Sequence, residues 1–282
     1  MKFLVRIFLV VVFLAPCVVR SQSGPASSAG PRTIALGWSD VADARDMQAA
    51  SPALRPDTAS RLLVNLMPSP TGIPGSWTAG GNGYYAVTAL DKLGASFSTY
   101  VLPDVYSEEI IGAQYSRSFI VDSLRYASGG IRLRYISQSF ANYLPVNIIT
   151  LDLGAAFDLL PNLTLGVAAT HVEGLWTNQG VDTVNRIEYF GASFRAVPAD
   201  DRQYTLTINA AVETSDGLPT VFHAGVEYEF DPNVTLRAGM ETGTHTLTAG
   251  LGIHFGSTIL DFAILRHPIL GTSFCFGVGY AL

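Results

Sequence analysis

The sequence predicts an all-β fold, a transmembrane antiparallel β-barrel of about fourteen strands with a small N-terminal hatch segment. Three observations carry this. From residue 61 onward the chain is a succession of runs of about nine to eleven residues in which apolar and polar side chains alternate, the length a tilted strand needs to cross a bilayer. The polar faces of those runs hold Gly, Thr and Ser with scattered charges, and Lys92 is the sole lysine beyond residue 2. Charged residues make up 14% of the chain and hydrophobic ones 48%, where a soluble domain of ordinary composition has about 25% charged.

Residues 1–21 read as a signal peptide. Lys2 and Arg6 form a positive start, Leu9 to Leu14 an apolar stretch, and Val19-Arg20-Ser21 a small-residue cleavage site. The apolar run is broken by Pro16 and is too short to span a membrane as a helix. Taking Lys2, Arg6 and Arg20 from the formal charge of −6 leaves −9, a balance that argues against nucleic acid as a partner. Cys17 leaves with the signal peptide, so Cys275 has no partner for a disulfide or a two-cysteine metal site.

Residues 22–32 are rich in Ser, Gly, Ala and Pro and read as a flexible leader. Residues 33–60 read as the hatch, an acidic, non-strand stretch in which Trp38, Asp40, Asp43, Arg45 and Asp46 form the charged cluster most able to gate a lumen or contact a partner. The expectation is that its carboxylates pair with interior arginines such as Arg132, Arg134 and Arg237.

Residues 61–282 form the barrel. The strands are expected at Leu62 to Met67, Tyr84 to Leu90, Leu93 to Val101, Ile111 to Phe119, Arg125 to Ile136, Ile148 to Leu159 and Leu163 to His171. Seven more follow at Ile187 to Arg195, Tyr204 to Glu213, Phe222 to Phe230, Val234 to Glu241, Thr246 to Phe255, Thr258 to Leu265 and Thr272 to Leu282. The alternation puts Ile208 on the lipid face and Asn209 on the lumen face, so an arginine should be tolerated far better at Asn209 than at Ile208. It turns Arg132, Arg134, Asp152, Glu213, Glu227 and Arg237 inward, where opposite charges pair and stiffen the wall or form a polar constriction that filters solutes. Trp77, Tyr84, Tyr85, Tyr100, Tyr106, Trp176 and Tyr189 lie near strand ends and fit interface girdles. Closure of the sheet satisfies every backbone group inside a membrane and removes sheet edges.

Nothing points to an enzyme or a cofactor. The five histidines, from His171 to His267, are scattered over separate strands, and no Gly-x-Ser-x-Gly elbow occurs.

Two stretches resemble a known family. Gly37-Trp38-Ser39-Asp40-Val41-Ala42-Asp43-Ala44, running to Ser51-Pro52-Ala53-Leu54, is similar to the N-terminal signature of PorV/PorQ-type outer-membrane proteins of the FadL-like superfamily. Ser51 replaces the usual Asn there, and a Gly is missing. Near the C-terminus Ala224-Gly225-Val226-Glu227-Tyr228, Leu236-Arg237-Ala238-Gly239, Thr248-Ala249-Gly250-Leu251-Gly252-Ile253 and Leu260-Asp261-Phe262-Ala263 resemble the closing strands of those barrels. The resemblance implies an outer-membrane location and an accessory role in a type IX-like secretion or surface-attachment system, with secreted proteins or secretion subunits as partners besides outer-membrane lipid. The wider superfamily implies the alternatives of passive FadL-like transport of hydrophobic small molecules or a purely structural barrel.

Overall fold

The computed structural model describes residues 29–45, 49, 51–56, 60–70, 74–177, 185–196 and 204–282. The signal peptide, most of the leader and Asp46 lie outside the described residues. Fourteen strands alternate along the chain: β1 Arg61–Pro68, β2 Trp77–Ala86, β3 Asp91–Leu102, β4 Tyr106–Ile120, β5 Tyr126–Phe140, β6 Val146–Leu160 and β7 Leu163–Thr177. They continue as β8 Ile187–Ala196, β9 Thr205–Ser215, β10 Val221–Asp231, β11 Val234–Glu241, β12 Thr246–Phe255, β13 Thr258–His267 and β14 Gly271–Ala281. Each pairs antiparallel with its sequence neighbours, and β1 pairs with β14 from Arg61↔Ala281 to Leu66↔Phe276, which closes the barrel.

The register sets the strand tilt. One row of cross-strand partners runs Asp91, Arg117, Gly129, Ala155, Val167, Phe190, Val212, Phe222. It begins at the first residue of β3 and ends at the second of β10. Odd strands start at one end of the barrel and even strands at the other, so this row climbs from one rim to the opposite one. Such a stagger is what closing a sheet with inclined strands demands.

The two faces are chemically inverted relative to a soluble protein. Leu62, Val64 and Leu66 of β1 and Phe274, Phe276, Val278 and Tyr280 of β14 are exposed, whereas Thr207, Asn209, Glu227 and Arg237 are buried. Ile208 stands outward between Phe194 and Val226. Ile208→Arg should therefore destabilise the barrel in lipid by about 2–4 kcal/mol, read by denaturant unfolding in vesicles; a loss below about 1 kcal/mol would place this position near the interface rather than in the apolar layer. Asn209 is on the inward phase as expected, but it is 1% exposed, so an arginine there must displace its neighbours and the difference between the two positions narrows.

Three other expectations change. The second strand is Trp77–Ala86 rather than Tyr84 to Leu90, because Gly80, Gly81 and Gly83 hide its alternation and 87–90 is the turn. Residues read as leader belong to the folded segment: Pro31–Ala35 forms a short helix, α1, and Arg32 is buried. Of the proposed girdle aromatics, Trp77 and Tyr85 are exposed outward, but Tyr84 is buried inward with the Lys92 ammonium 5.0 Å from its ring centre. Tyr189 turns inward too, against Val41, and the Trp176 side chain lies outside the described residues. Alternation assigns a face only when its phase is right, and aromatic residues at strand ends occupy both faces.

Candidate functional site

The N-terminal segment runs through the lumen and touches most of the wall. It starts with Pro31 at the first position of α1, where a missing N–H costs nothing and φ is already helical. α1 ends in a Schellman turn. Trp38 N–H donates to Thr33 O (2.9 Å) and Gly37 N–H to Ile34 O (2.9 Å), with Gly37 at φ +60°. A side chain at Gly37 would also sit 2.7 Å from the Met240 backbone nitrogen, so this position needs glycine twice over. A single 3₁₀ turn follows at Asp40–Ala42, held by Thr33 Oγ1 donating to Asp40 Oδ2 at 2.7 Å.

Paired glycines on the inner wall make room for this chain. Gly225 and Gly239 are cross-strand partners on β10 and β11 and lie under Leu36, Gly37 and Ser39. Gly166 and Gly191 pair between β7 and β8 beneath Val41 and Ala42. Gly130 and Gly154 pair between β5 and β6 beneath Ser51 and Pro52, where a Cβ on Gly130 would stand 2.0 Å from Pro52 O. Polar wall residues fasten the segment between these seats. His223 Nδ1–H donates to Gly37 O (2.9 Å), Thr248 to Ala35 O (3.0 Å), Arg132 to Ala49 O (3.1 Å), Gln114 to Pro52 O (2.8 Å) and Lys92 to Arg55 O.

A buried ion network joins segment and wall. Arg32 pairs with Glu227 (3.0 Å) on β10 and with Asp43 (2.9 Å), and Arg237 on β11 adds a 2.7 Å contact to Glu227 and a 2.5 Å contact to Asp261. Arg45 reaches Asp43 (3.1 Å), Glu229 (3.3 Å) and Glu227 (3.5 Å), and Arg55 reaches Asp43 (3.5 Å) and Asp158 (3.8 Å). The polarity is opposite to the sequence expectation, for the segment's arginines pair with the wall's carboxylates. Arg132 and Arg134 both engage Asp152 on the adjacent strand, each at 2.7 Å. One wall carboxylate thus holds two wall arginines. Asp152 also accepts from the His171 backbone N–H at 3.0 Å, where β7 inserts residues 170–172 opposite it between the pairs Leu153↔Ala169 and Leu151↔Glu173. Glu213 meets His223 at 3.2 Å.

Trp38 packs against an apolar cluster of Ile34, Ala35, Met67, Ala263, Leu265 and Cys275, so this sector of the lumen wall is apolar, as is a second cluster of Ile110, Ile136 and Ile148 on β4 to β6. Arg32 and Arg55 escaped the sequence reading. Arg32 is the last residue of the stretch that reads as a flexible leader, and neither charge lies in a run with a helix or strand period that would show its direction. The inward phase of the glycines was available as a signal.

Burial alone would raise the Asp43 carboxyl, but Arg45, Arg32 and Arg55 outweigh it and hold it below the ordinary aspartate value of 3.8. A carboxyl held lower in the folded than in the unfolded chain contributes stability that is complete above the unfolded value and lost as pH falls through the folded one. Amide exchange in residues 32–43, corrected for its intrinsic pH dependence, should stay slow from pH 7 to about pH 4 and accelerate only below that. Loss of protection centred near pH 6 would mean that a histidine contact, not Asp43, fastens the segment.

No protein-family model matches this chain, and no curated protein does. Solved structures do resemble it. The toluene transporter TbuX of Ralstonia pickettii superposes with a TM-score of 0.60 at 13% identity, over 91% of this chain and 98% of that one. The toluene transporter TodX of Pseudomonas putida gives 0.57 at 11%, over 93% and 99%. A Pseudomonas aeruginosa FadL homologue gives 0.54 at 14%, over 89% and 98%. The chain thus shares the barrel fold of these proteins; the finer likeness to PorV/PorQ has no counterpart among these structures.

Proposed function

We propose that the protein is an outer-membrane barrel that passes hydrophobic small molecules, with residues 29–56 as the hatch that closes its lumen. The observation that carries this reading is the path of the segment, which is seated on glycine pairs along the wall and leaves an apolar sector at Trp38, Met67 and Leu265. A chain that merely filled space would not need a custom seat; a hatch that must return to one position does. The fold likeness to transporters of toluene supports the same reading. A secretion role resting on bound protein partners has less to work with, since strand connections run only from 161–162 to 178–186 in size.

Toluene is the probe that tests it. Cells expressing the protein should take up labelled toluene several-fold faster than cells without it, in proportion to the amount of heat-modifiable barrel in their outer membrane. Trp38→Asp, which places a charge in the apolar sector, should remove most of the gain. Uptake indifferent to expression would reject transport, and recovery of the protein in the soluble periplasm would reject the membrane location as well.

A further inference from the structure

The outward face of the barrel carries a groove of about 380 Å³ between β4 and β7. Its floor is Gly129 and Ala155, and its sides are Phe119, Phe157, Leu165 and Val167. A Cβ on Gly129 would meet nothing within 4 Å, so this is open space rather than a packing seam. Large apolar side chains stand out from much of this face, and the recess lies where the neighbouring strands β5 and β6 carry Gly129 and Ala155 opposite each other.

What sits beside the groove sets its occupant. Arg117 is the cross-strand partner of Gly129 and points outward with 53% of its side chain exposed. Its guanidinium lies 5.5 Å over the Phe119 ring and 3.7 Å from Asp91, which accepts a 2.6 Å hydrogen bond from Tyr115. A cation on a lipid-facing strand is tolerated near the interface and disfavoured deeper. The register puts it there: the row from Asp91 through Arg117 starts at the rim formed by turns 87–90 and 121–125 and climbs through Gly129, Ala155 and Val167 toward mid-barrel. The groove therefore rises from a guanidinium at the rim into the apolar band. That rim also holds the two-residue turns 161–162, 232–233 and 256–257 beside one longer connection, 197–204; on balance it is the short-turn side, which faces the periplasm in barrels of this class.

The geometry points to a site for one membrane phospholipid of the periplasmic leaflet, its phosphate on Arg117 and one acyl chain in the groove over Gly129 and Ala155. The pairing of Arg117 with Asp91 complements the phosphate and ammonium of a zwitterionic phosphoethanolamine headgroup. The site also backs onto the hatch, because Gly130 and Gly154, the inward neighbours of Gly129 and Ala155, are the seat of Pro52. A chain lodged outside braces a wall that is thinnest where the hatch bears on it. This inference rests on the membrane location proposed above and is independent of what the lumen carries.

Full-length protein extracted from membranes in mild detergent should retain phospholipid in equimolar amount by native mass spectrometry and lipid extraction. Arg117→Gln should lower retention about tenfold, the scale of one lost charge-assisted contact. Ala155→Leu, which fills the groove with a side chain ordinary for this face, should abolish it while leaving the barrel heat-modifiable. In reloading from mixed micelles, phosphatidylethanolamine should bind in preference to diacylglycerol. Equal retention of diacylglycerol, or unchanged retention in both variants, would overturn the site, and loss of a dimer rather than of lipid in Ala155→Leu would give the groove to a second copy instead. Absence of the wild-type protein from the membrane fraction would fail the membrane reading itself, a result separate from any of these.

Discussion

Valine in place of Gly130 should expel the N-terminal segment from its seat while the barrel stays closed. The new Cβ would coincide with the carbonyl oxygen of Pro52 at 2.0 Å and crowd the Ala53 nitrogen at 2.8 Å, and neither is the tip of a flexible side chain that could turn aside. Overpacking a filled interior costs about 1–3 kcal/mol when side chains can adjust; here backbone must move, so the segment lifts instead. Residues 49–56 should then become accessible to protease in detergent, and reconstituted barrels should conduct where wild type is nearly closed. Ile131→Val is the matching control, one residue away on the opposite face, where the side chain is exposed. If the two variants are cleaved at the same slow rate, the segment does not depend on that seat.

Glu227→Ala should be the most destabilising change in the ion network. Glu227 is 1% exposed and receives Arg32, Arg45 and Arg237 together. Removing it strands three guanidinium groups against one another, and breaking a buried pair from one side costs about 3–5 kcal/mol. Asp43 and Asp261 would still compensate Arg32 and Arg237 in part, so the loss should appear first as release of the segment and second as a lower unfolding midpoint. Glu227→Gln, which keeps the hydrogen-bond acceptor and removes the charge, should fall between. A change within about 0.5 kcal/mol for Glu227→Ala would mean that the arginines are hydrated and the network carries nothing.

The strands were legible because a barrel in lipid forces every second residue to be apolar, a period visible without knowledge of partners. β2 was the exception, since glycine at 80, 81 and 83 belongs to neither face. The longest strands, β4 to β7, exceed their apolar runs because rim residues such as Tyr106 and Phe140 extend the hydrogen-bond ladder past the alternating core. The site was legible in part. Inward phase marked Arg132, Asp152, Glu227 and Arg237, but phase says which way a charge points and not what it meets. Partners such as Arg32 and Glu227 lie far apart in the chain and are brought together only by the route of the segment, which has no period to read. The glycine pairs illustrate the same limit, for Gly130 and Gly154 become one seat only once the register of β5 and β6 is known.

The contact of Pro31 with Gly277 bears on how the protein is made. Gly277 belongs to β14, the last strand, whose pairing with β1 completes the ring. The contact of Pro31 with β14 is therefore complete only once the last strand is in place. Because the segment meets every strand from β4 to β13 on its way round, the wall can gather about it strand by strand, with β1 and β14 meeting last. Delivery of the chain to the membrane and the sealing of its seam then become one event, in which the segment is a mandrel for the ring rather than a stopper fitted afterwards.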